Sequence, residues 1–331
     1  MKYNSIIGFR DEARRRISEM ENFNVALTAV LPFLCYIGFG YLVKQLQLVD
    51  EPFMKKLNQI IFQLFFPFMM FYNIYNTEDG LQFDVKFVLI GAVSVLVLVA
   101  LLMAIVPRLE KENPKRGVIV QAIYRSNFIL FAFPLTESVF GSEGIAVAAP
   151  MVAIIVPLYN VLAVVILEYF RGGNISAWQL VKKILTNPLI EGAIVGILFV
   201  IFGWKLPAGI EKPVSQFAGL TTPLALFVLG STLHFSSLRK HMNYVTSVIG
   251  VKMILLPAIA MLLSVPFGLT EVQRFIYLTI FATPVAASSF AMAENMGGDG
   301  ELAGELVVTS TTASIVTIFL WIFILKSIHL I

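Results

Sequence analysis

Residues 124–135 read YRSNFILFAFPL, and residues 281–290 read FATPVAASSF. Each stretch lies inside a long apolar run and combines a proline with polar side chains. Proline removes a helical hydrogen bond, and a bilayer offers no other partner for the carbonyl that is left free. The two stretches therefore predict two membrane helices that are interrupted within the bilayer.

The two stretches occupy matching places in an internal repeat. Pro and Gly residues of the first half recur in the second half at a constant offset of 156 residues. The pairs are Pro32 and Pro188, Gly40 and Gly196, Pro67 and Pro223, Gly141 and Gly297, and Gly144 and Gly300. Both residue types shape the backbone. In a membrane chain, such a repeat predicts a transporter with its site between the halves.

The composition is that of a membrane protein. Hydrophobic residues make up 58% of the chain and charged residues 14%, and the mean hydropathy is +0.83. A helical crossing needs roughly 20 apolar residues. We identify ten such runs, at 25–43, 57–75, 87–106, 117–140, 145–168, 188–203, 214–233, 245–267, 275–293 and 302–325. The sequence predicts an all-α polytopic membrane protein with ten transmembrane helices.

Five helices per repeat is an odd number, so the second repeat must enter the bilayer from the opposite side. The predicted organisation is an N-terminal segment 1–21, a first five-helix repeat 22–168, a cytoplasmic linker 169–187 and an inverted repeat 188–331. The broken helices are the fourth and ninth, and they are expected to cross near the bilayer midplane.

Basic residues in the loops predict the orientation. The loops after predicted spans 1, 3, 5 and 7 carry most of them, including Lys55, Arg116 and Lys182. These loops should be cytoplasmic, which places both termini outside the cytoplasm. The expected location is the cell membrane.

Basic residues in the first nineteen positions conflict with this orientation, because Lys2, Arg10 and residues 14–16 would lie outside. One interpretation is an amphipathic helix at the membrane surface. The other, which we favour, is that native translation starts at Met20. N-terminal sequencing of the native protein separates the two, since a native chain that begins at Met1 excludes the second.

Two crossing, broken helices would expose unpaired N–H groups and positive dipole ends, which together make an anion site. The candidate substrate-binding residues are Arg125, Ser126, Asn127, Pro134, Thr283, Pro284, Ser288 and Ser289. A kinked helix with packed hydroxyl groups is the alternative. Arg125 is either a carboxylate clamp or a side chain that snorkels towards the cytoplasm.

Four further polar residues inside the predicted spans are secondary candidates: Lys252, Glu191, Asn58 and Asn73. Lys252 either forms a structural pair, contacts the substrate or snorkels. Glu191 would make a charge pair with Lys252 or a proton-responsive group if the two were close.

Motifs spread along the chain carry a family resemblance. They are 27–41 with Pro32 and Gly40, Leu57-Asn58-Gln59 followed by Pro67, Asn127 with Pro134-Leu135 and Gly141, Asn187-Pro188, Lys252 with Pro257, and Pro284 with Ala293-Glu294. Together they resemble the auxin efflux carrier family, which includes the PIN-type auxin transporters. The resemblance covers about residues 22–328.

The resemblance implies that helices 1, 2, 6 and 7 form a scaffold and that the remaining helices move past it like an elevator. It also implies a substrate at the crossing of helices 4 and 9, a homodimer through the scaffold, and organic anions as cargo. Family members carry auxin in plants and malate or malonate in bacteria. Ala132 and Ser288 depart from residues common in the family, and the linker 169–187 is short. These departures argue against auxin as the substrate.

Two other functions stay open from the sequence. One is a sodium-coupled organic-anion symporter of the related bile-acid-symporter type, and the other is a membrane sensor that binds its ligand without moving it. Paired acidic residues, expected of a sodium–proton antiporter, are absent between Arg125 and Pro134 and between Phe275 and Phe290. The sequence has no zinc-protease, nucleophile-turn or phosphate-loop motif. We therefore expect no enzyme activity, cofactor, metal or nucleic-acid partner.

Overall fold

The computed structural model describes residue 27 and residues 31–76, 84–172, 177–232, 238–328 and 330–331. These residues form helices and turns, and no strand occurs among them. The all-α class is therefore confirmed. The predicted N-terminal segment 1–21 lies outside the described residues.

Most of the described helices overlap predicted apolar runs, whereas α6 lies in the predicted linker 169–187. They are α1 (31–45), α2 (Glu51–Tyr75), α3 (Val85–Leu109), α4 (Asn113–Tyr124), α5 (Phe128–Phe170), α6 (Ala177–Leu185), α7 (Pro188–Phe202), α8 (Ala208–Thr232), α9 (Leu238–Gly250, Val251–Leu255 and Leu256–Ser264), α10 (Glu271–Ala282), α11 (Ser288–Asn295) and α12 (Gly300–Ser327). Six segments of the described chain are long and apolar enough to cross a membrane: Glu51–Tyr75, Val85–Leu109, Glu143–Phe170, Ala208–Thr232, His241–Ser264 and Gly300–Ser327.

Two of these helices contain a π-helical turn just before a proline. The turns are Ile61–Phe65 in α2, ahead of Pro67, and Val251–Leu255 in α9, ahead of Pro257. Pro257 cannot donate to the carbonyl of Met253. The indole N–H of Trp321 on α12 donates to that carbonyl instead, at 2.9 Å.

Two repeat-related glycines both have a positive φ angle. Gly141 kinks α5 with φ +67°, and Gly297, in the turn before α12, has φ +79°. Glycine enters this left-handed region without the penalty that a Cβ imposes. Asp299 then caps α12, because its carboxylate accepts the N–H of Leu302 at 2.9 Å.

Glycines also allow two close helix crossings. A Cβ at Gly40 of α1 or at Gly230 of α8 would collide with the backbone of the other helix. Gly192 and Gly196 of α7 lie in the same way against the backbone of α2. Small residues that let helix backbones approach are a general means of packing in membranes.

We predict that Gly230→Ala lowers the free energy of unfolding by about 1–3 kcal/mol, because the added methyl group overpacks the crossing of α1 and α8. Gly219→Ala is the matched control, since Gly219 lies on the same helix and a Cβ there would meet no atom within 4 Å. Thermal unfolding in detergent measures both changes. Equal melting temperatures for the two variants would contradict the prediction.

Candidate functional site

Two helix breaks meet inside the molecule. The first separates α4 from α5 at residues 125–127, and the second separates α10 from α11 at residues 283–287. The backbone is extended at Arg125 (φ −87°, ψ 114°) and at Thr283 (φ −77°, ψ 154°). The first break therefore lies seven residues before Pro134, which is inside α5. The expectation that Pro134 causes the interruption is corrected by this geometry.

The two extended segments are hydrogen-bonded to each other. Ser126 and Val285 form an isolated antiparallel bridge, and the N–H of Asn127 donates to the carbonyl of Pro284 at 2.8 Å. The N–H of Val285 donates to the hydroxyl of Ser310 on α12 at 3.1 Å. Backbone groups that the breaks remove from the helices are thus satisfied across the crossing, as burial requires.

Pro284 explains the contacts around the second break. Its missing N–H leaves the carbonyl of Ile280 without a helical partner. The hydroxyl groups of Ser126 and Tyr159 donate to that carbonyl at 2.6 and 2.9 Å. Ser126, from the first break, therefore supplies a hydrogen bond that α10 lacks because of Pro284.

Lys252 lies behind this contact. Its side chain is fully buried, and its Nζ donates to the hydroxyl of Ser126. Among the described residues no carboxylate pairs with Lys252. Glu191 is exposed in the first turn of α7, so the structure does not bring Glu191 to Lys252.

Arg125 is 2% exposed and points inward, which excludes snorkelling. Its guanidinium donates to Asn160 Oδ1, to Ser288 Oγ at 2.7 Å and to Met292 Sδ at 2.9 Å. All three acceptors are neutral, and no described carboxylate pairs with Arg125. A thioether sulfur is a weak acceptor for a charged donor.

A cavity of about 50 Å³ lies beside Arg125. The first break contributes Arg125, Ser126 and Asn127 to its lining, and α11 contributes Ser288. Asn73 of α2 and Thr222 of α8 also line it. Helices α5 and α11 begin at this cavity, so their positive dipole ends add to the charge of Arg125.

The structure brings together five of the residues predicted from the sequence, namely Arg125, Ser126, Asn127, Ser288 and Asn73. The other predicted residues do not line this cavity. Thr283 and Ser289 are buried behind it, the carbonyl of Pro284 bonds Asn127, Pro134 is exposed, and Asn58 lines a separate cavity.

Tyr159, Asn160, Thr222 and Met292 were missed. Tyr159 and Asn160 are polar residues just after Pro157 in an apolar run, and Thr222 precedes Pro223. A search for polar residues beside mid-span prolines would have found these three. Met292 carries no such signal.

Among the described residues, no cluster of three or more His, Cys, Asp or Glu offers a metal site.

Comparison with known proteins identifies the family. The model of the family described as membrane transport protein matches residues 25–322, most of the chain. The chain belongs to this family. It is the auxin efflux carrier family, to which the sequence motifs are similar.

Three relatives align with nearly the whole chain. An uncharacterized transporter of Methanothermobacter thermautotrophicus is 24% identical over 88% of this chain and 96% of its own length. An uncharacterized transporter of Methanocaldococcus jannaschii is 25% identical over 91% of this chain and 99% of its own length. A Rhizobium meliloti protein named "Putative malonate transporter" is 23% identical over 90% of this chain and 95% of its own length.

We predict that Ser126→Ala lowers the free energy of unfolding by about 1–3 kcal/mol, because it leaves a buried carbonyl and a buried ammonium each short of a partner. Ser327→Ala is the control, since that exposed hydroxyl donates only to Phe323 within its own helix. Thermal unfolding of both variants tests the difference. A Ser126→Ala protein as stable as the control would show that Ser126 does not support the crossing.

Proposed function

We propose that the protein is a secondary transporter of small organic anions, with mono- or dicarboxylates as substrates. One observation carries the proposal. Arg125 is a buried guanidinium that borders a cavity and has only neutral partners among the described residues.

The energetics of burial support an anion as the occupant. A charged side chain inside a membrane costs from roughly 2.5 to more than 10 kcal/mol unless water or a partner compensates it. A carboxylate beside Arg125 would supply that compensation and replace the weak sulfur acceptor of Met292. The planar guanidinium suits two parallel hydrogen bonds to a carboxylate.

Neutral hydrogen-bonding groups surround the charge. Asn127 of the first break and Asn160 of α5 line the cavity, and so do Asn73 of α2 and Thr222 of α8. Amide and hydroxyl donors suit the remaining oxygens of a small dicarboxylate. The relative named as a malonate transporter is consistent with that class, and malonate is therefore our test substrate.

We propose that the chain folds as two inverted five-helix repeats. Support comes from pairs of contacts that the 156-residue offset relates. The close crossing of α1 with α8 corresponds to that of α7 with α2, and Gly141 corresponds to Gly297. The hydroxyl of Thr221 also donates to the carbonyl of Phe65, which lies 156 residues away in the chain.

We propose an elevator mechanism, in which the broken helices move past α1, α2, α7 and α8. Support comes from the cavity, since both α2 and α8 and the two broken helices contribute residues to its lining. Sliding along this boundary would carry the anion with Arg125.

The location that we propose is the cell membrane, where the scaffold helices contact lipid and form a homodimer. The basic loops would then be cytoplasmic and the termini extracytoplasmic.

We predict that Arg125→Gln reduces malonate affinity by roughly 10- to 150-fold, because a buried hydrogen bond to a charged group contributes about 1.5–3 kcal/mol. The shift of the melting temperature with malonate measures binding, and uptake into liposomes measures transport. Arg108→Gln, an exposed arginine in the last turn of α3, is the control. Unchanged malonate binding by a folded Arg125→Gln protein would exclude this site.

We predict that Asn127→Ala lowers malonate uptake about fivefold or more, as expected for one lost hydrogen bond of about 1 kcal/mol. The fold should persist, because the backbone N–H of residue 127 still bonds the carbonyl of Pro284. Asn295→Ala is the control, since its amide donates within α11. Wild-type uptake rates in the Asn127→Ala protein would remove Asn127 from the site.

A further inference from the structure

Lys252 is a second buried cation close to the anion site. It lies in the π-helical turn Val251–Leu255 of α9, and its side chain is 0% exposed. Single π-helical turns inside α-helices are frequent at functional sites. An ammonium buried in a membrane protein is costly unless water or a partner compensates its charge. The place of Lys252 in the fold therefore has an energetic cost that some interaction must offset.

Hydrogen bonding satisfies Lys252 only in part. Its Nζ donates to the hydroxyl of Ser126, and Ser126 uses its own proton to donate to the carbonyl of Ile280 at 2.6 Å. An ammonium has three N–H donors, and this contact accounts for one of them. No carboxylate within the described part of the chain forms an ion pair with Lys252, so its positive charge has no protein counter-ion there.

The carboxylates that contact α9 lie nearer to its start. Glu305 approaches His241, and Glu110 accepts the hydroxyl of Tyr244. His241 and Tyr244 come eleven and eight residues before Lys252, which corresponds to about 16 and 12 Å along a helix. Neither carboxylate is close enough to act as a direct partner of the ammonium.

Ser126 connects Lys252 with the anion site. Its hydroxyl accepts from the ammonium, and Ser126 also lines the cavity beside Arg125. Lys252 is not part of that lining, so its Nζ lies behind a single hydroxyl group. Water does not screen a charge in such a buried position, and its attraction for an anion in the cavity is stronger than at a surface.

We infer that Lys252 is a second cation of the anion site and strengthens anion binding without touching the substrate. This inference rests on the proposed transport function and deepens it. Arg125 makes the direct hydrogen bonds to the anion. Lys252 is a positioning residue, because its ammonium holds the hydroxyl of Ser126 at the first break, and its charge adds to the positive potential of the cavity.

The charge of the ligand distinguishes this role from a structural one. Coulomb energy is proportional to the charge of each partner. Loss of the Lys252 charge should therefore weaken the binding of a dianion about twice as much, in free energy, as that of a monoanion in the same place. A side chain that only supports the fold would affect both ligands by the same factor. Lys252 would thus also determine how well the protein separates doubly from singly charged anions.

The test compares malonate with its monomethyl ester, which has a similar shape and one charge fewer. Calorimetric titration of the purified full chain measures both affinities above neutral pH, where malonate is a dianion. We expect the wild-type protein to bind malonate at least about tenfold more tightly than the ester. We expect Lys252→Gln to weaken malonate binding roughly 10- to 100-fold and ester binding by only about the square root of that factor.

Matched variants separate charge from packing. Lys252→Gln keeps an N–H donor for Ser126 but no charge, whereas Lys252→Arg keeps the charge and should retain the preference for malonate. Lys56→Gln removes an exposed lysine of α2 and should bind both ligands as the wild-type protein does. Should Lys252→Gln fail to fold, Lys252→Met takes its place, because apolar side chains of similar volume are often tolerated where a buried charge stood.

Four results overturn the inference. They are equal affinities of the wild-type protein for malonate and its ester, an equal loss of both ligands in the uncharged variants, undiminished malonate binding in those variants, or loss of the preference in a folded Lys252→Arg protein. The first result needs no variant, so the inference stays testable even if none of the variants folds.

Uptake of malonate into liposomes separates the inference from the proposed function. If the wild-type protein takes up malonate and any of the four results is found, only the role of Lys252 is excluded. If the wild-type protein neither binds nor takes up malonate, the proposed function is overturned and the inference falls with it.

Discussion

Pro284 cannot donate to the carbonyl of Ile280, and two hydroxyl groups at the crossing compensate for that lost hydrogen bond. Ser126 and Tyr159 donate to this carbonyl, and Lys252 in turn donates to Ser126. The carbonyl of Pro284 accepts the N–H of Asn127 from the other break. Because a bilayer supplies no hydrogen bonds, each break is stabilised by the other, and the two segments hold one another in place.

The same contacts fix the position of Arg125. Extended backbone at Arg125 directs the Arg125 side chain towards Asn160, Ser288 and Met292. Helices α5 and α11 begin beside this side chain. Positive charge therefore gathers at one cavity without a described carboxylate to balance it. The cavity of about 230 Å³ that Asn58 lines has the opposite character, since Glu305 and exposed carboxylates border it. One short helix, α11, contacts both cavities.

The sequence predicted the helices well because their signal is local. Apolar runs of bilayer length and prolines at a fixed offset are visible without any contact information. The site was predicted only in part. Arg125, Ser126, Asn127, Ser288 and Asn73 line the cavity, but Pro134 does not, because the first break falls earlier, where Ser126 reaches Ile280. That position depends on a partner 154 residues away, which no local pattern contains.

The sequence by itself determined that this chain is a helical membrane protein with two interrupted segments and repeat-related glycines, since hydropathy and backbone freedom are properties of single residues. Only the tertiary structure decided which polar residues share a cavity. Nothing in the sequence pairs His241 with Glu305, whose Nδ1 and Oε2 atoms lie 3.0 Å apart in the structure, and Glu191 gave no sign that it would stay exposed. Such pairings follow from how helices pack, because burial and charge compensation depend on neighbours that are distant in the chain.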